Sequence, residues 1–472
     1  MGQAQFGMIG LGTMGRNFLL NLAEHEFSCV GFDLDSAKRQ LLIEEGANFE
    51  VSAADDIKSF VAALETPRKI MLLVPAGPIV DSVLDELKPL LETGDIVIDG
   101  GNSHFTDTER RESSMNGNGL EFLGVGVSGG EEGARHGASI MIGGKPEVYE
   151  QVRPMLEAAS AKVNGEACAA HVGHGSAGHF VKMVHNGIEY GLMQLIAESF
   201  DLLQRGFHIT DDKASELFAR WDTGPLNSFL IEITSIVLRK KDEDGTPLVE
   251  KILDTAGQKG TGKWTSQVAM DMGVPIPTID SAVTMRQISA RKTERVAADE
   301  KLGIVQDMQI DETLAPDTIG FIESALHLAF ITTYAQGFSL LQTASVEKNY
   351  ELDLVEIAKI WRGGCIIRAA MLEDLRTTFE AAPKLPNILL ADTFRDLIRR
   401  EHGLLKATIK FAIAADVPCM AFAACHNYLK SYASKRLPAN LIQAQRDFFG
   451  AHTYQRIDKE GIFHTPDWNA GS

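Results

Sequence analysis

A glycine-rich turn near the amino terminus places the strongest constraint on the fold of this chain. An apolar run, Gln5 to Ile9, leads into Gly10-Leu11-Gly12-Thr13-Met14-Gly15, and a helical pattern follows from Arg16 to His25. In a strand–turn–helix unit that binds a dinucleotide, the first glycine allows a tight turn and the second lets the backbone approach a pyrophosphate. The third lets the helix pack closely on the strand, and the helix N–H groups then face the anion. The pattern predicts a Rossmann-type dinucleotide-binding domain.

The residues after the second predicted strand, 28–32, bear on which dinucleotide binds. Asp33 lies where an acidic residue hydrogen-bonds the adenosine ribose hydroxyls in NAD sites. Leu34 follows where an NADP site often carries arginine, and Asp35 adds a charge that would repel a 2′-phosphate. The cations at positions 38 and 39 keep NADP open, and Asp33 could instead only cap the turn. We expect NAD to be favoured.

The order of the remaining patterns predicts the domain organisation. Further strands are expected at 69–74, 95–99, 119–125 and 139–142, with a helix at 80–91, which is the βαβ order of a doubly wound, mostly parallel sheet. After Gly178 long helical patterns take over. We therefore predict an α/β Rossmann-type domain at 1–177, a large all-helical domain at 178–434 and a tail at 435–472.

Two loops at predicted strand ends combine glycine with small polar side chains. They are residues 99–103, DGGNS, and residues 127–135, VSGGEEGAR. Ligands of open α/β sheets bind beyond the carboxyl ends of the strands, and backbone N–H groups of such loops can hold carboxylate or phosphate oxygens. Plain turns are the alternative interpretation.

The stretch from His179 to Gly191 predicts a helix with a chemically dense front. Lys182, His185, Asn186 and Glu189 fall within an arc of roughly 100°, while apolar residues gather on the opposite side. A lysine and a glutamate separated by about 10 Å along the axis can flank a small substrate and serve two separate proton transfers. A solvated polar helix face is the alternative.

An internal repeat argues against that alternative. The segment 198–204, ESFDLLQ, is similar to 336–342, QGFSLLQ, and each copy is followed by a turn that contains tryptophan and glycine. The helix of the second copy, at 320–329, contains neither lysine nor asparagine. Helix packing therefore does not by itself require the Lys182 face, and we predict an all-helical domain with an internal duplication.

Composition excludes several classes of function. The net charge of −19 disfavours nucleic-acid and anionic-membrane partners, and 44% hydrophobic with 23% charged residues is typical of a folded globular protein. Five scattered cysteines lack the spacing of a zinc site, so we expect no bound metal and a reduced, cytoplasmic protein. The chain shows no signal-peptide pattern and no apolar run of membrane-spanning length.

Six separated motifs, taken in order, closely resemble the long-chain decarboxylating 6-phosphogluconate dehydrogenases over the whole chain. They are GLGTMGRN (10–17), GGNS (100–103), VSGGEEGAR (127–135), GHFVKMVHNGIEYG (178–191), GQKGTGKW (257–264) and LPANLIQAQRDFFGAHTY (437–454). The resemblance implies oxidation and decarboxylation of 6-phosphogluconate to ribulose 5-phosphate with NAD or NADP, a reaction of the pentose phosphate pathway. It also implies a homodimer in which each tail threads into the partner.

The resemblance further assigns roles to individual positions. Lys182 is the implied base and Glu189 the implied acid. Contacts with the sugar acid are implied for Asn102, Ser128, Gly129, Gly130, His185, Asn186 and Tyr190. Phosphate contacts are implied for Lys259, Thr261 and Arg286, joined by the partner subunit's Arg446 and the partner subunit's His452. Cofactor contacts are expected at Gly10 to Gly15, Asp33, Leu34, Val74, Ala76 and Asn102.

Two departures from the family pattern concern the cofactor. NADP-using members usually read Asn-Arg-Thr where this chain has Asp33-Leu34-Asp35, and lysine where it has Pro75. Both differences remove 2′-phosphate recognition, so the residues predict NAD although the family as a whole suggests NADP.

Two alternative functions are a β-hydroxyacid dehydrogenase that does not decarboxylate and a dinucleotide-binding sensor without turnover. Glu189 and the cations at 259, 286 and 446 argue against the first, and Lys182 against the second.

Overall fold

All strands of the described part of the chain precede residue 174. A computed structural model describes residues 3–304 and 315–470. The strands are β1 (Phe6–Ile9), β2 (Cys29–Phe32), β3 (Val51–Ala53), β4 (Lys69–Leu72), β5 (Ile96–Asp99), β6 (Glu121–Ser128), β7 (Ser139–Gly143), β8 (Lys162–Val163), β9 (Glu166–Ala167) and β10 (Ala169–Gly173). β8 and β9 form a separate hairpin, and the other eight strands form one sheet.

The eight-stranded sheet has the order β10-β7-β6-β5-β4-β1-β2-β3. Neighbouring strands pair in parallel except β6 and β7, which are antiparallel. The strand order reverses at β1, which lies between β2 and β4, and a crevice at such a point is the usual ligand site of an open α/β sheet. The predicted mostly parallel sheet is confirmed.

The helices that connect successive strands cover both faces of this sheet. They are α1 (Thr13–Glu24), α2 (Ser36–Glu45), α3 (Ile57–Ala62), α4 (Pro78–Leu87), α5 (Phe105–Asn116), α6 (Gly130–His136) and α7 (Pro146–Ala158). One apolar cluster contains Phe18 of α1 and Val152 of α7, and a second contains Phe60 of α3 and Leu84 of α4. The two clusters bury the apolar strand residues on opposite faces, which makes the sheet doubly wound.

The chain after the sheet is helical in its described residues. The helices are α8 (Ala177–Asp201), α9 (Asp211–Trp221), α10 (Phe229–Arg239), α11 (Thr261–Asp271), α12 (Pro277–Ser289), α13 (Lys292–Leu302), α14 (Ala315–Glu347), α15 (Leu354–Ile360), α16 (Met371–Ala381), α17 (Asp392–Ala414), α18 (Met420–Tyr432) and α19 (Ala439–Gly450). A π-helical turn, Leu202–Gly206, extends α8. The predicted succession of a Rossmann-type sheet and a large helical region is confirmed.

Glycines let the first turns of α8 lie directly on the sheet. A Cβ atom added at Gly178 would lie 2.2 Å from the carbonyl oxygen of Gly124, and one added at Gly126 would lie 2.4 Å from Cβ of Lys182. Any larger side chain at these positions would push the helix off β6. The glycines therefore bring Lys182 against the carboxyl-terminal half of β6.

The two helices of the sequence repeat, α8 and α14, each cap another helix with a buried side chain. The Glu198 carboxylate accepts hydrogen bonds from the N–H groups of Ala421 and Phe422, at 2.8 and 3.0 Å, where α18 begins. Gln336, the residue of α14 that corresponds to Glu198, accepts one from the N–H of Thr278 at 3.0 Å, where α12 begins. N–H groups of a first helical turn have no partner within their own helix, so both caps satisfy buried donors.

Residues 426–472 form a compact unit separate from residues 1–425. Within this unit the Asp447 carboxylate is buried and accepts hydrogen bonds from four donors: the N–H groups of Thr453 and Thr465, Nδ1 of His464 and Nε1 of Trp468. The tail thus has a structure of its own. The division of the first unit at residue 177, and a tail that starts at 435, remain predictions.

No described helix is long and apolar enough to cross a membrane. All five cysteines are free thiols.

Candidate active site

A cleft of about 930 Å³ lies at the carboxyl ends of the central strands. It is lined by the glycine turn after β1, the end of β2, the loop 73–77 after β4, the loop 100–104 after β5, and Lys259 and Trp264. Among the predicted cofactor residues, those that line this cleft are Gly10, Gly12, Thr13, Met14, Gly15, Asp33, Leu34, Val74, Ala76 and Asn102. Its position at the strand-order reversal and its size suit a dinucleotide.

The glycine turn has the geometry that a pyrophosphate site needs. Gly10 has a φ of 96°, and a Cβ atom at Gly15 would lie 1.8 Å from the carbonyl oxygen of Gly10. A Cβ atom at Gly12 would meet no atom within 4 Å, so the backbone there is open on the cleft side. No side chain caps the amino terminus of α1. The residues present therefore fit a dinucleotide, with the pyrophosphate at the start of α1.

Leu11, the other predicted cofactor residue of the glycine turn, does not line the cleft with its side chain. Its side chain is buried rather than in the cleft. Its backbone N–H donates a hydrogen bond of 2.8 Å to Oδ2 of Asp33, which fixes that carboxylate beside the glycine turn. Leu11 thus orients Asp33 through its backbone, and its contact with the cofactor stays a prediction.

The cations near Asp33 already have protein partners. Lys38 Nζ lies 3.4 Å from Oδ2 of Asp33, and Arg39 Nη1 donates to the carbonyl oxygens of Asp33 and Leu34 at 2.7 and 3.3 Å. The Leu34 side chain is 89% exposed and offers no charge. The end of β2 therefore presents a carboxylate to the cleft. Lys38 also lines the cleft and is paired with that carboxylate, whereas Arg39 is bonded to backbone carbonyl oxygens.

The front of α8 is buried rather than solvated. Lys182, His185 and Asn186 are all buried. The His185 ring joins Oγ of Ser128, 3.2 Å from Nε2, to Oδ1 of Asn186, 3.1 Å from Nδ1, and Asn186 Nδ2 donates to Oγ1 of Thr261 at 3.1 Å. One network thus connects β6, α8 and α11, and the interpretation of a solvated helix face is wrong.

Burial changes the pKa values of the ionisable side chains on the front of α8. It lowers the pKa of Lys182, although Glu189 and Cys365 partly oppose the change. It also raises the pKa of Glu189 against the opposing effect of Lys182 and Arg286. Burial and the Lys182 charge hold the pKa of His185 well below its usual range. Each shift favours the neutral form of its group, so the site holds a proton acceptor and a proton donor on one helix.

The residues predicted to bind phosphate lie in different parts of the site: Arg286 beside Tyr190, Thr261 beside Asn186, and Lys259 at the cleft. The Arg286 guanidinium carbon lies 3.5 Å from the centre of the Tyr190 ring, and its Nη1 donates to the carbonyl oxygen of Gly257 at 3.0 Å. Thr261 is the first residue of α11 and touches Asn186. Lys259 lines the dinucleotide cleft.

The Ser128-Gly129-Gly130 loop rests on the tryptophan–glycine turn of the second repeat. Gly129 has a φ of 118°, and a Cβ atom there would lie 2.5 Å from the carbonyl oxygen of Gly364. Trp361 packs edge-on against the His185 ring at 5.6 Å. From the sequence this turn was notable only as part of the repeat, whereas in the structure it supports the glycine loop of the site.

The last two predicted site residues, Arg446 and His452, belong to the tail unit. Arg446 Nη1 donates to Oε1 of Gln443 at 3.1 Å, and the His452 ring lies 5.9 Å from that of Phe449. Both side chains are exposed.

Sequence and structure comparisons identify the family of this chain. Residues 5–173 match the NAD binding domain of 6-phosphogluconate dehydrogenase, and residues 178–468 match the C-terminal domain of the same family. The chain belongs to the 6-phosphogluconate dehydrogenase family. The expectation from the six motifs is therefore confirmed, and with it the assignment to the nicotinamide-dependent oxidoreductases.

Individual relatives in this family match the chain from end to end. The NADP(+)-dependent, decarboxylating 6-phosphogluconate dehydrogenase of Bacillus subtilis is 49% identical, over 99% of this chain and 100% of its own length. The decarboxylating enzyme of Escherichia coli is 47% identical over the same shares. A Plasmodium falciparum 6-phosphogluconate dehydrogenase, solved without ligand, with its cofactor NADP+ and with its substrate 6-phosphogluconate, superposes with a TM-score of 0.95 at 40% identity. That alignment covers 98% of this chain and 100% of the other.

Proposed function

We propose that this protein oxidises and decarboxylates 6-phospho-D-gluconate to D-ribulose 5-phosphate and carbon dioxide, with NAD as its preferred hydride acceptor. The observation that carries the proposal is the buried front of α8 beside a dinucleotide cleft. Lys182, with its lowered pKa, shares that front with the network of Ser128, His185 and Asn186. A base of this kind suits removal of a hydroxyl proton as hydride leaves the same carbon.

Lys182 acts twice in the proposed reaction. The neutral amine takes the proton of the substrate 3-hydroxyl during oxidation, for which the bound dinucleotide supplies the hydride acceptor. The resulting ammonium then donates a hydrogen bond to the 3-keto oxygen, where negative charge develops as carbon dioxide leaves. Neutral His185 and Asn186 orient the substrate, with Asn102, Ser128, Gly129 and Gly130 around its carboxylate and hydroxyls.

Glu189 completes the reaction by protonating C1 of the enediol. Its raised pKa supports this role, because a carboxyl group must retain its proton near neutral pH to act as an acid. We assign the substrate phosphate to Tyr190, Lys259, Thr261 and Arg286. The partner subunit's Arg446 and the partner subunit's His452 join them in a cytoplasmic homodimer that exchanges tails.

The preference for NAD rests on the end of β2. The fixed Asp33 carboxylate suits ribose hydroxyls and repels a 2′-phosphate, while Leu34 supplies no cation in its place. The Bacillus subtilis relative is NADP(+)-dependent at 49% identity, so the preference departs from that relative. Lys38 is the residue that could reverse it, because its side chain is 42% exposed and could turn to a phosphate.

The ratio of kcat/KM for NAD to kcat/KM for NADP, measured with 6-phosphogluconate while carbon dioxide release is followed, tests the reaction and the cofactor together. We expect a ratio well above one and one carbon dioxide for each reduced dinucleotide. Lys38→Ala is the matched variant, and we expect it to change the ratio little.

Other outcomes have distinct meanings. A ratio below one that rises in Lys38→Ala would show that Lys38 binds the 2′-phosphate, so the reaction would stand and the NAD preference would fall. Reduction without carbon dioxide would instead indicate a β-hydroxyacid dehydrogenase that does not decarboxylate. Dinucleotide binding without any turnover would indicate a sensor.

A further inference from the structure

Arg111, on α5, is a buried arginine that lies outside the set of predicted site residues. Its side chain is 1% exposed. Burial by itself lowers the pKa of Arg111, but Asp81 and Asp99 outweigh that effect, so the guanidinium keeps its charge. A buried cation is costly unless every donor is satisfied, which makes its partners informative.

The guanidinium joins two loops. Toward the loop after β4 and the first turn of α4, Nε and Nη2 donate to the two carboxylate oxygens of Asp81 at 2.9 and 3.1 Å, and Nη2 also donates to the carbonyl oxygen of Gly77 at 2.9 Å. Toward the loop after β5, Nη1 donates to Oγ of Ser103 at 3.0 Å and to Oδ2 of Asp99 at 3.3 Å. The planar fork of arginine can make both sets at once, whereas a lysine ammonium cannot span them.

Asp99 extends this connection to the turn that carries Asn102. It accepts hydrogen bonds from the N–H of Gly101 at 3.1 Å and from Oγ of Ser103 at 2.7 Å. The buried Asp99 carboxylate therefore holds the turn from 100 to 103 through its hydrogen bonds, while Asn102 is exposed in the cleft. Loops 73–77 and 100–104 line the cleft at β4 and β5, away from Asp33 at the end of β2.

We propose that Arg111 is a positioning residue that holds the loop after β4 against the loop after β5, and so aligns the reactive end of the dinucleotide with the substrate. The proposal rests on the proposed function, because that function places the hydride acceptor and the substrate at this end of the cleft. A misplacement of about 1 Å at a distance from the reacting atoms can cost roughly 100-fold in rate.

Two matched controls separate positioning from stability. Arg68 forms a comparable ion pair with Asp95, 2.7 Å apart, next to the amino ends of β4 and β5. The pair thus stabilises the same two strands at the edge opposite the cleft. Arg110 contacts Asp81 from the surface, at 2.9 Å, without reaching the loop after β5.

The experiment compares Arg111→Met, Arg111→Lys, Arg68→Met and Arg110→Met. We measure Tm, the Kd for NADH by fluorescence, kcat/KM for 6-phosphogluconate and the deuterium isotope effect at C3 of the substrate. We expect both Arg111 variants to bind NADH at least tenfold more weakly and to lose 10- to 100-fold in kcat/KM, with a larger isotope effect. The Arg68 and Arg110 variants should lose stability only.

Each result decides the question. Folded Arg111→Met with the wild-type Kd and isotope effect would overturn the proposal. If Arg111→Met does not fold, Arg111→Lys replaces it, and wild-type kinetics in that variant would overturn the proposal equally. Arg68→Met with the same kinetic losses would reduce Arg111 to a stabilising residue. NADH binding requires no substrate, so a failure of the proposed reaction in the wild type is distinguishable from a failure here.

Discussion

Helices α8 and α14 are the corresponding members of the sequence repeat, but only α8 carries reactive groups. Aligning Glu198 with Gln336 pairs Lys182 with Gly320 and Glu189 with His327. Gly320 is exposed, and buried His327 contacts Glu401 of α17 at 3.2 Å. The caps made by Glu198 and Gln336 are shared, whereas the front of α8 is not. Both helices therefore need their caps for packing, whereas the buried amine of Lys182 on α8 has no counterpart on α14 and serves chemistry.

The largest expected effect on activity comes from replacing Lys182 on the front of α8 with an apolar side chain. Lys182→Met should lower kcat/KM roughly 1,000-fold and abolish both hydride transfer and decarboxylation, because the proton acceptor is gone. The same change should raise Tm, because a buried amine with a lowered pKa destabilises the folded protein near neutral pH. Steady-state kinetics and calorimetry measure the two effects. A fall in Tm would show that helix packing requires Lys182, which would contradict the distinction drawn between α8 and α14.

Glu189→Ala is the control on the same helix. It should spare hydride transfer far more than a Lys182 substitution does, because its proposed proton transfer comes after carbon dioxide has left. Isotope effects at C3 of the substrate report the hydride step in each variant. Equal loss of that step in both variants would contradict the division of roles.

A smaller effect, on the stability of the folded protein, is expected from the cap that Glu198 makes, and this effect depends on pH. Burial raises the pKa of Glu198 to about 7, above the value of about 4.3 in an unfolded chain. The folded protein therefore holds this proton more tightly, so the contribution of Glu198 to stability is present below about pH 4 and is lost as pH rises to about 7. Over that range the loss amounts to about 4 kcal/mol.

Glu198→Gln removes this titration. The Tm of the wild type relative to the variant should fall by a few degrees between about pH 5 and pH 7.5, as scanning calorimetry can measure. Gln336, which has no proton to lose, is the natural reference for this behaviour. A difference that does not vary with pH would show that Glu198 is ionised throughout and that the two caps are equivalent.

The smallest effect is expected on α14. His327→Ala should leave kcat within about twofold, because none of its contacts with described residues reaches the cleft. It should cost about 1 kcal/mol of stability through the lost contact with Glu401, which keeps its contact with Arg400. A large kinetic effect would show that α14 takes part in the chemistry.

The features of this molecule that the sequence predicts are those whose requirements lie within a short stretch of the chain. The glycine turn and Asp33 were predictable because their requirements lie within a short stretch of chain, and the polar front of α8 was predictable from helical periodicity. The burial of that front was not, because it depends on β6 and on a turn near residue 361. Arg111 gave no signal, because its partners at 77, 81, 99 and 103 come together only through the order of the strands.

The caps also set an order for synthesis of the chain. Gln336 reaches back 58 residues to Thr278, which has already been made when Gln336 emerges from the ribosome. Glu198 must wait for Ala421, 223 residues later, before its first backbone donor exists. The helix that carries the reactive groups therefore cannot complete its packing until nearly the whole chain has been translated. A nascent or truncated product that ends before residue 421 therefore leaves this buried carboxylate without its two backbone donors, and only Gln194 of the same helix still donates to it.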